Sequence, residues 1–373
     1  MNSKERVKAA LEFREPDMVP YGEFAIDFDT VERLLGRKTY LRNKAGIQLA
    51  LWQGRRREVA ESLIRDSIEV AEKVELDILS PPLLPPEDPG EVPRKVDENT
   101  WEFDDGRVLK YSAVTNDFTV VHWPPGDYLP TDEELERKAA GERFEEGRLE
   151  ALRLFVEKFG DTHHITWGGT DEAAMPLFGG MTNGLSYYVT DPGRIKAYCE
   201  AACEGAEKTD PLWAEMGADS VMWGMDFSFN SGPFLSPGMF RDLVLPYAKR
   251  RVDSVHASGM KVLKHCCGNN KPLLDAFVEI GYDCYQSIQT SAGLDIAQLK
   301  DYLGDSLALW GGVAVENLVS GTPEDVSRDV EYALTHGKPG GGYIFGTSHS
   351  VAVGTKYENW LRMMEDFRAL RSY

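Results

Sequence analysis

Short apolar runs alternate with stretches of helical spacing along this chain. Each run is apolar at nearly every position, which is typical of a parallel strand buried on both faces of a sheet. The runs lie at Val19–Phe24, Leu76–Pro82, His163–Gly169, Asp219–Asp226, Lys261–Cys267, Tyr282–Gln289, Leu307–Val313 and Gly342–His349. Eight parallel strands that alternate with helices predict an α/β fold, a closed (β/α)8 TIM barrel.

One part of the chain departs from this alternation. Residues 83–160 separate the second predicted strand from the third, and their first half is rich in proline, aspartate and glycine. In that half, Asp105-Gly106 lies between two alternating runs, which predicts a β-hairpin. The second half has the charged, amphipathic spacing of helices. We therefore expect a hairpin and helical insertion within a single barrel domain that spans residues 1–373.

The charge balance excludes two classes of binding partner. The chain has 373 residues, of which 61 are acidic and 41 basic, giving a net charge of −20. Such a surface repels phosphate backbones and anionic lipids, so we expect no nucleic-acid and no membrane partner.

The N-terminal sequence lacks the apolar stretch of a signal peptide, and no run reaches the ~18 apolar residues of a spanning helix. A cytoplasmic protein is expected.

The five cysteines are odd in number and unevenly spread, which is not a disulfide framework. Cys199 and Cys203 lie four residues apart in an amphipathic stretch with no histidine nearby. They are expected to pack in the core.

The active site of a TIM barrel lies at the carboxyl ends of its strands. Two carboxylates are predicted there as catalytic groups, Glu23 at the end of strand 1 and Asp226 at the end of strand 4. Asp226 lies among aromatic residues, which would raise its pKa and suit it to proton transfer or to orienting a ligand. The alternative is that Asp226 only holds its loop through backbone hydrogen bonds.

The strongest local pattern is His265-Cys266-Cys267-Gly268 at the end of strand 5. Residues two apart on a strand share a face, so His265 and Cys267 are expected to point to the same side. Imidazole nitrogen and thiolate sulfur are zinc ligands, and a catalytic zinc keeps one of its four positions open. The candidates for a third ligand, in order of preference, are His349, Glu23 or Asp226, and Cys284. Without a metal, the motif would be a buried cysteine beside a hydrogen-bonded histidine.

Several segments of the chain resemble the uroporphyrinogen decarboxylase superfamily, and together they span nearly its whole length. They are ERVKAALEFREPDMVP, GPFLSPGMFRDLVLPYAKR, the HCCG of strand 5, AGLDIAQLKDYLGDSLALWGGVAVENLVSGTPEDV and GGGYIFGTSHSVAVGTKYENW. The superfamily contains true uroporphyrinogen decarboxylases and a broad group of corrinoid-linked methyltransferases, and both groups share the barrel. The resemblance therefore implies the barrel fold and two branches of function.

The region after the first strand separates these branches. True decarboxylases carry an arginine-rich RQAGR-type segment there, which would pair with the carboxylates of a tetrapyrrole. This chain has VPYGEFAIDFDTVERLL instead, with no arginine until Arg33. In the methyltransferase branch, an H-x-C-G motif that matches His265, Cys267 and Gly268 binds zinc. The resemblance thus implies a zinc-dependent methyltransferase that works with the cobalamin of a separate corrinoid protein.

This chain differs in one region from the methyltransferases that act on a thiol. They carry a third zinc-binding cysteine near the end of strand 8, where this chain has Ser348, His349 and Ser350. A histidine in place of that cysteine leaves a more electropositive site, better suited to polarising an oxygen atom. We therefore expect O-demethylation of a small methoxylated aromatic donor, with transfer of the methyl group to cob(I)alamin. The residues expected to contact the donor are Phe24, Trp167, Trp223, Phe227 and Gln286.

Other interpretations stay open at this point. A decarboxylase would need no metal, a methyltransferase could use another donor or a thiol acceptor, and a non-catalytic barrel could bind or sense a ligand. The direction of methyl transfer and the formation of a homodimer are also left open by the sequence.

Overall fold

The computed structural model describes residues 1–142, 144–169, 171 and 173–373. Its strands are β1 (Ile78–Leu79), β2 (Arg94–Lys95), β3 (Thr100–Glu102), β4 (Val108–Ser112), β5 (Asp117–His122), β6 (His164–Gly169), β7 (Ser220–Trp223), β8 (Ser228–Phe229), β9 (Gly232–Pro233), β10 (Lys261–His265), β11 (Cys284–Gln286), β12 (Ala308–Val313) and β13 (Tyr343–Thr347). Short 3₁₀ helices cover Glu146–Leu149, Lys271–Leu273 and Thr290–Ala292.

The α-helices lie between and around these strands. They are α1 (Ser3–Leu11), α2 (Phe28–Leu35), α3 (Lys44–Trp52), α4 (Arg56–Lys73), α5 (Asp132–Ala140), α6 (Glu150–Phe159), α7 (Gly180–Thr190), α8 (Pro192–Glu207), α9 (Asp210–Glu215), α10 (Pro237–Leu243), α11 (Leu245–Ala257), α12 (Leu274–Ile280), α13 (Ile296–Leu303), α14 (Val315–Ser320), α15 (Pro323–Gly337) and α16 (Tyr357–Leu370).

Seven parallel strands form one sheet in the order β1-β6-β7-β10-β11-β12-β13. Every neighbouring pair is parallel, because a helical crossover separates successive strands. The sheet curls as it passes from β1 to β13. The fold is therefore the predicted α/β arrangement of the TIM-barrel type.

The segment around Tyr21 closes the sheet, although the sequence predicts a full strand at Val19–Phe24. Tyr21 makes a parallel bridge to Phe345 of β13, and the backbone N–H of Asp77 donates to the carbonyl oxygen of Tyr21 at 2.7 Å. Pro20 has no N–H group, and the N–H of Tyr21 donates to the Asp77 carboxylate at 2.7 Å. The predicted first strand is consequently reduced to isolated bridges, which lie between β13 and β1, where the first strand of a barrel is expected.

Side chains alternate between the inside of the curled sheet and its outer face. The inside is filled by one cluster whose members include Met222, Leu263, Cys284, Trp310 and Ile344. The outer face packs against the surrounding helices in a much larger cluster. The interior below the strand ends is therefore a packed core, and polar groups collect at the carboxyl ends above it.

The segment between β1 and β6 contains a four-stranded antiparallel sheet in the order β2-β3-β4-β5. Strands β3 and β4 form a hairpin whose turn includes Gly106 at φ 88°, a conformation that glycine adopts without strain. The rings of Trp101 and Phe118 meet edge to face at 4.8 Å, and Trp52 of α3 packs against both. Aromatic contacts thus fix this small sheet to α3.

Helix starts follow the capping residues in the sequence. Capping boxes begin α1, α5 and α15 at Asn2, Thr131 and Thr322. Ser236 caps α10, with Pro237 at its first position. Among the residues that the structure describes, no helix combines the length and the apolar character needed to cross a membrane.

Candidate metal centre and active site

Three candidate metal ligands from two strand ends meet at the carboxyl end of the barrel. One ligand atom from each of His265, Cys267 and His349 lies within 4.8 Å of the other two. His265 Nε2 and Cys267 Sγ are 3.3 Å apart, and the two imidazole centroids are 5.3 Å apart. His265 ends β10, and His349 follows β13. The structure thus brings together the three residues that the sequence places first as candidate ligands.

The other cysteines lie apart from this cluster. The Sγ of Cys266 turns away from it and accepts a hydrogen bond from the Phe227 N–H at 3.2 Å. Cys284, the last candidate for a third ligand, is buried in the barrel interior. Cys199 and Cys203 are buried in α8, as the sequence predicts. The alternation of side chains along β10 explains why only one cysteine of the adjacent pair joins the cluster.

Gln286 connects the two histidines of the cluster. Its Oε1 accepts a hydrogen bond from His265 Nδ1, which leaves His265 Nε2 beside Cys267. Its Nε2 lies 3.3 Å from the carbonyl oxygens of Thr347 and His349. An outer hydrogen bond of this kind fixes the tautomer and the ring orientation of a metal-binding histidine. Gln286, expected from the sequence to contact a donor, is engaged here with His265.

Two groups hold Cys267. The Asp226 Oδ1 accepts the backbone N–H of Cys267 at 2.7 Å, so this carboxylate lies directly beside the cluster. The Ser287 Oγ lies 3.4 Å from Cys267 Sγ and 2.8 Å from the carbonyl oxygen of Ser348. Ser287 has φ 86°, an uncommon conformation for a residue with a side chain. Sequence reasoning missed Ser287, because a serine inside an apolar run carries no distinguishing signal.

A chain of polar groups leads outward from His349. Its Nδ1 lies 3.0 Å from Ser350 Oγ, and that hydroxyl donates to Asp27 Oδ2 at 3.4 Å. The other oxygen of Asp27 accepts a hydrogen bond from Arg42 Nε at 3.2 Å. Asp27 comes three residues after the predicted first strand and Arg42 lies in the loop before α3, so neither ends a predicted strand and sequence reasoning missed both.

Burial sets the protonation of the cluster. It lowers the pKa of His265 to about 3 and also lowers the pKa of His349, so both rings are neutral at physiological pH. Burial raises the pKa of the Cys267 thiol to about 12, and the charge of Asp226 acts in the same direction. A cation bound by these three residues would favour the thiolate and release the thiol proton.

A cavity of about 240 Å³ opens beside the cluster, and Glu23 and Phe24 both line it. The Phe24 ring stacks on the His265 imidazole, with centroids 3.8 Å apart and 10° between the planes. The Glu23 carboxylate is buried and accepts hydrogen bonds from Thr347 N and Oγ1, at 3.2 and 2.5 Å. Burial nevertheless raises the pKa of Glu23 to about 8. Glu23 is therefore mostly protonated at neutral pH.

Three aromatic residues that the sequence assigns to the donor lie on the outer face of the sheet. Trp167 and Trp223 line a separate cavity of about 820 Å³ next to α5 and α8, and Trp167 stacks on Trp213 at 5.1 Å. Phe227 is fully buried, with Lys264 Nζ 4.0 Å from its ring centre. Strand alternation explains why the side chains of Trp167 and Trp223 lie on the outer face, since both residues occupy positions of β6 and β7 that face the helices.

A buried ion pair lies behind the cluster. Lys264 precedes His265 in β10 and points to the opposite face, where its Nζ contacts both Asp171 oxygens at 2.9 and 3.0 Å. Both side chains are fully buried, and Tyr282 OH donates to the same carboxylate at 3.2 Å. The pair ties the segment after β6 to the strand that carries His265.

Comparisons with known proteins agree with this architecture. The family model described as Uroporphyrinogen decarboxylase (URO-D) matches residues 168–370, a span that includes His265, Cys267 and His349. A uroporphyrinogen decarboxylase from Psychromonas ingrahamii is 27% identical over 211 residues, which cover 50% of this chain and 57% of that protein. Among solved structures, a methyltransferase from Methanosarcina mazei is similar with a TM-score of 0.68 and 16% identity, over 99% of each chain. The family match covers more than half of the chain, and the chain therefore belongs to the uroporphyrinogen decarboxylase family.

Proposed function

We propose that this chain is a zinc-dependent methyltransferase that moves the methyl group of a small methoxylated aromatic donor to the cob(I)alamin of a separate corrinoid protein. The observation that carries the proposal is the cluster of His265, Cys267 and His349 at the carboxyl end of the barrel. The barrel fold shared with the Methanosarcina mazei methyltransferase supports it. The lack of an arginine-rich segment after the first strand points the same way.

The cluster fits zinc by its donor set. Two imidazole nitrogens and one sulfur suit zinc, whereas magnesium and calcium prefer oxygen ligands. Burial keeps both histidines neutral, and Gln286 orients His265 so that its Nε2 faces Cys267. Three protein ligands would leave one of four positions open for a donor. When bound, zinc would supply Lewis acidity toward the ether oxygen of that donor.

Two carboxyl groups are proposed to assist. Glu23 lines the cavity beside Phe24 and is mostly protonated at neutral pH, so it would donate a proton to the departing phenolate oxygen. Asp226 accepts the N–H of Cys267 and would keep that ligand in place. Phe24, which already stacks on His265, would contact the aromatic ring of the donor.

The transfer balances as a displacement at the methyl carbon. The methyl–oxygen bond of the donor breaks, its electron pair stays on the oxygen, and the proton of Glu23 neutralises the resulting phenolate. Cob(I)alamin would be the second substrate, carried by the partner protein, and would supply the electron pair for the new bond to the methyl carbon.

A decarboxylase-type lyase is the second candidate, favoured by the similarity to the Psychromonas ingrahamii protein. A tetrapyrrole polyanion requires several cationic groups at its site. Among the described residues that line the cavity beside Phe24, Arg42 is the one cation. This lining supports the methyltransferase over the lyase.

Metal analysis and a methyl-transfer assay test the proposal together. Elemental analysis of freshly purified, unchelated protein is expected to find about one zinc per chain. The zinc is expected to be lost in His265→Ala and Cys267→Ala and retained in Cys199→Ala, which removes a buried thiol remote from the cluster. Methylation of free cob(I)alamin by a methoxylated benzoate should require the same two residues. The absorbance of cob(I)alamin monitors this reaction. Zinc-free protein, or zinc that persists in both variants, would contradict the proposal.

A further inference from the structure

One of the described residues that line the cavity beside Phe24 is positively charged, and it is Arg42. Most of the other lining residues are apolar, among them Ile26, Val31 and Leu41. The one acidic residue of the lining, Glu23, already accepts hydrogen bonds from Thr347. Arg42 therefore gives this cavity its positive charge, in a protein whose net charge is −20, and its ion-pair partner Asp27 lies outside the lining.

Within the described part of the chain, one nitrogen of the Arg42 guanidinium makes a hydrogen bond. Its Nε donates to Asp27 Oδ1 at 3.2 Å, while Nη1 and Nη2 make no hydrogen bond with any residue that the structure describes. The side chain is about one-third exposed, at 35%. A guanidinium fixed through Nε presents its remaining N–H groups as a fork, which matches the two oxygens of a carboxylate.

The backbone of Arg42 is also unusual. Its φ is 60°, in the left-handed region that residues with a side chain seldom adopt. Arg42 lies between α2 and α3, and Asn43, the next residue, caps α3 by accepting the N–H of Gly46 at 2.9 Å. The cap and the Asp27 contact together hold Arg42 in this conformation at the edge of the cavity.

Arg42 is connected to the metal cluster through Asp27. Asp27 Oδ2 accepts from Ser350 Oγ at 3.4 Å, and that hydroxyl lies 3.0 Å from His349 Nδ1. An anion held by the free nitrogens of Arg42 would therefore lie in the same cavity as Phe24, which stacks on His265. The distance between an anionic group at Arg42 and the methyl group to be transferred would then be set by the length of the donor molecule.

We propose that Arg42 binds a carboxylate on the methyl donor, so that the substrate class is a methoxylated aromatic monocarboxylate. This inference rests on the proposed function, because it names the substrate of the same site. One free fork fits one carboxylate, and the apolar lining fits a single ring. The volume of about 240 Å³ lies below the ~300 Å³ at which drug-sized pockets begin, which favours a one-ring ligand.

Calorimetric binding to the zinc-loaded protein tests the inference with two probes, 4-methoxybenzoate and its neutral counterpart 4-methoxybenzamide. The wild-type protein is expected to bind the benzoate at least about tenfold more tightly than the amide. Arg42→Gln should abolish this preference, and Arg42→Lys should keep part of it. Lys44→Gln is the matched control, because it removes the same charge from a side chain that pairs with Asp117 and does not line the cavity.

Equal binding of the two probes, binding of neither, or a preference that persists in Arg42→Gln would each overturn the inference. Far-ultraviolet circular dichroism identifies a variant that fails to fold, and Arg42→Lys then decides the result. Failure of the proposed function has a different signature. It would appear as no methylation of cob(I)alamin from either probe by zinc-loaded wild-type protein, whatever the binding preference.

Discussion

The side chain of Gln286 links the two histidines of the candidate zinc site. Its amide oxygen accepts a hydrogen bond from His265 Nδ1, and its amide nitrogen lies 3.3 Å from the carbonyl oxygen of His349. The two contacts join neighbouring parts of the barrel, since His265 of β10 is in register with Gln286 of β11. One side chain thus fixes both the tautomer and the spacing of the proposed ligands.

Replacement of Gln286 should weaken zinc binding. Gln286→Leu removes the acceptor of His265 Nδ1–H and is expected to lower zinc affinity by about 10- to 100-fold. Gln286→Glu restores an acceptor and should recover most of the loss. Competition with a chromophoric chelator measures these affinities, and Gln298→Leu, on an exposed position of α13, is the control. Unchanged affinity in Gln286→Leu would show that the contact does not support zinc binding.

The identity of the third ligand can be tested by exchange at position 349. His349→Ala removes one proposed ligand and is expected to lower zinc affinity by more than about tenfold. His349→Cys supplies another zinc ligand at the same place and should retain about one zinc per chain. Elemental analysis after dialysis measures both variants. Full zinc retention in His349→Ala would mean that a different residue completes the site.

Zinc binding should depend on pH through Cys267. The pKa of His265 is lowered to about 3, so this ring is already neutral, whereas the pKa of the Cys267 thiol is raised to about 12 by burial. Zinc must then displace about one proton, and its affinity should rise about tenfold per pH unit between about pH 6 and 8. Chelator competition at three pH values in this range gives the slope. A flat profile would contradict thiolate ligation.

Glu23 should make the folded state less stable as the pH rises. Its pKa is raised from 4.5 to about 8 by burial, so between these values the folded chain holds a proton that the unfolded chain has released. The free energy of unfolding therefore falls as the pH rises through this interval, and the loss is complete above the folded pKa. Glu23→Gln removes the effect, and its stability relative to the wild type should increase from pH 5 to pH 8.

Urea unfolding at these two pH values measures that difference. Glu61→Gln, on an exposed position of α4, is the control and should show no such trend. A Glu23→Gln difference that is the same at both pH values would contradict a buried, protonated Glu23.

Loss of one partner of the ion pair behind the cluster should destabilise the fold more than loss of both partners. Lys264→Met leaves the Asp171 carboxylate buried without its partner and is expected to destabilise the fold by about 3–5 kcal/mol. Lys264→Met combined with Asp171→Leu removes both charges and should recover much of this loss. Urea unfolding measures each variant against Lys271→Met, an exposed lysine. Equal stability of the single and double variants would contradict the argument.

The sequence by itself determined the features that depend on local spacing. Apolar runs alternating with helical stretches predict the parallel barrel, and seven of the eight runs contain strands of its sheet. Residues two apart on a strand share a face, so the pairing of His265 with Cys267, and the outward turn of Cys266, follow from the sequence. The choice of His349 as the first candidate for a third ligand rests on its place at a strand end.

Only the tertiary structure decided which distant side chains meet. Strand alternation is exact in period but its phase is set by the register of neighbouring strands, so the sequence could not tell that Trp167 and Trp223 face the helices. Gln286 contacts His265 because β10 and β11 are paired in one register. Arg42 reaches the cavity through a loop conformation that no periodic pattern encodes. Local spacing fixes which side chains share a face, whereas the direction of that face and the neighbours it meets depend on how remote segments pack when the barrel closes.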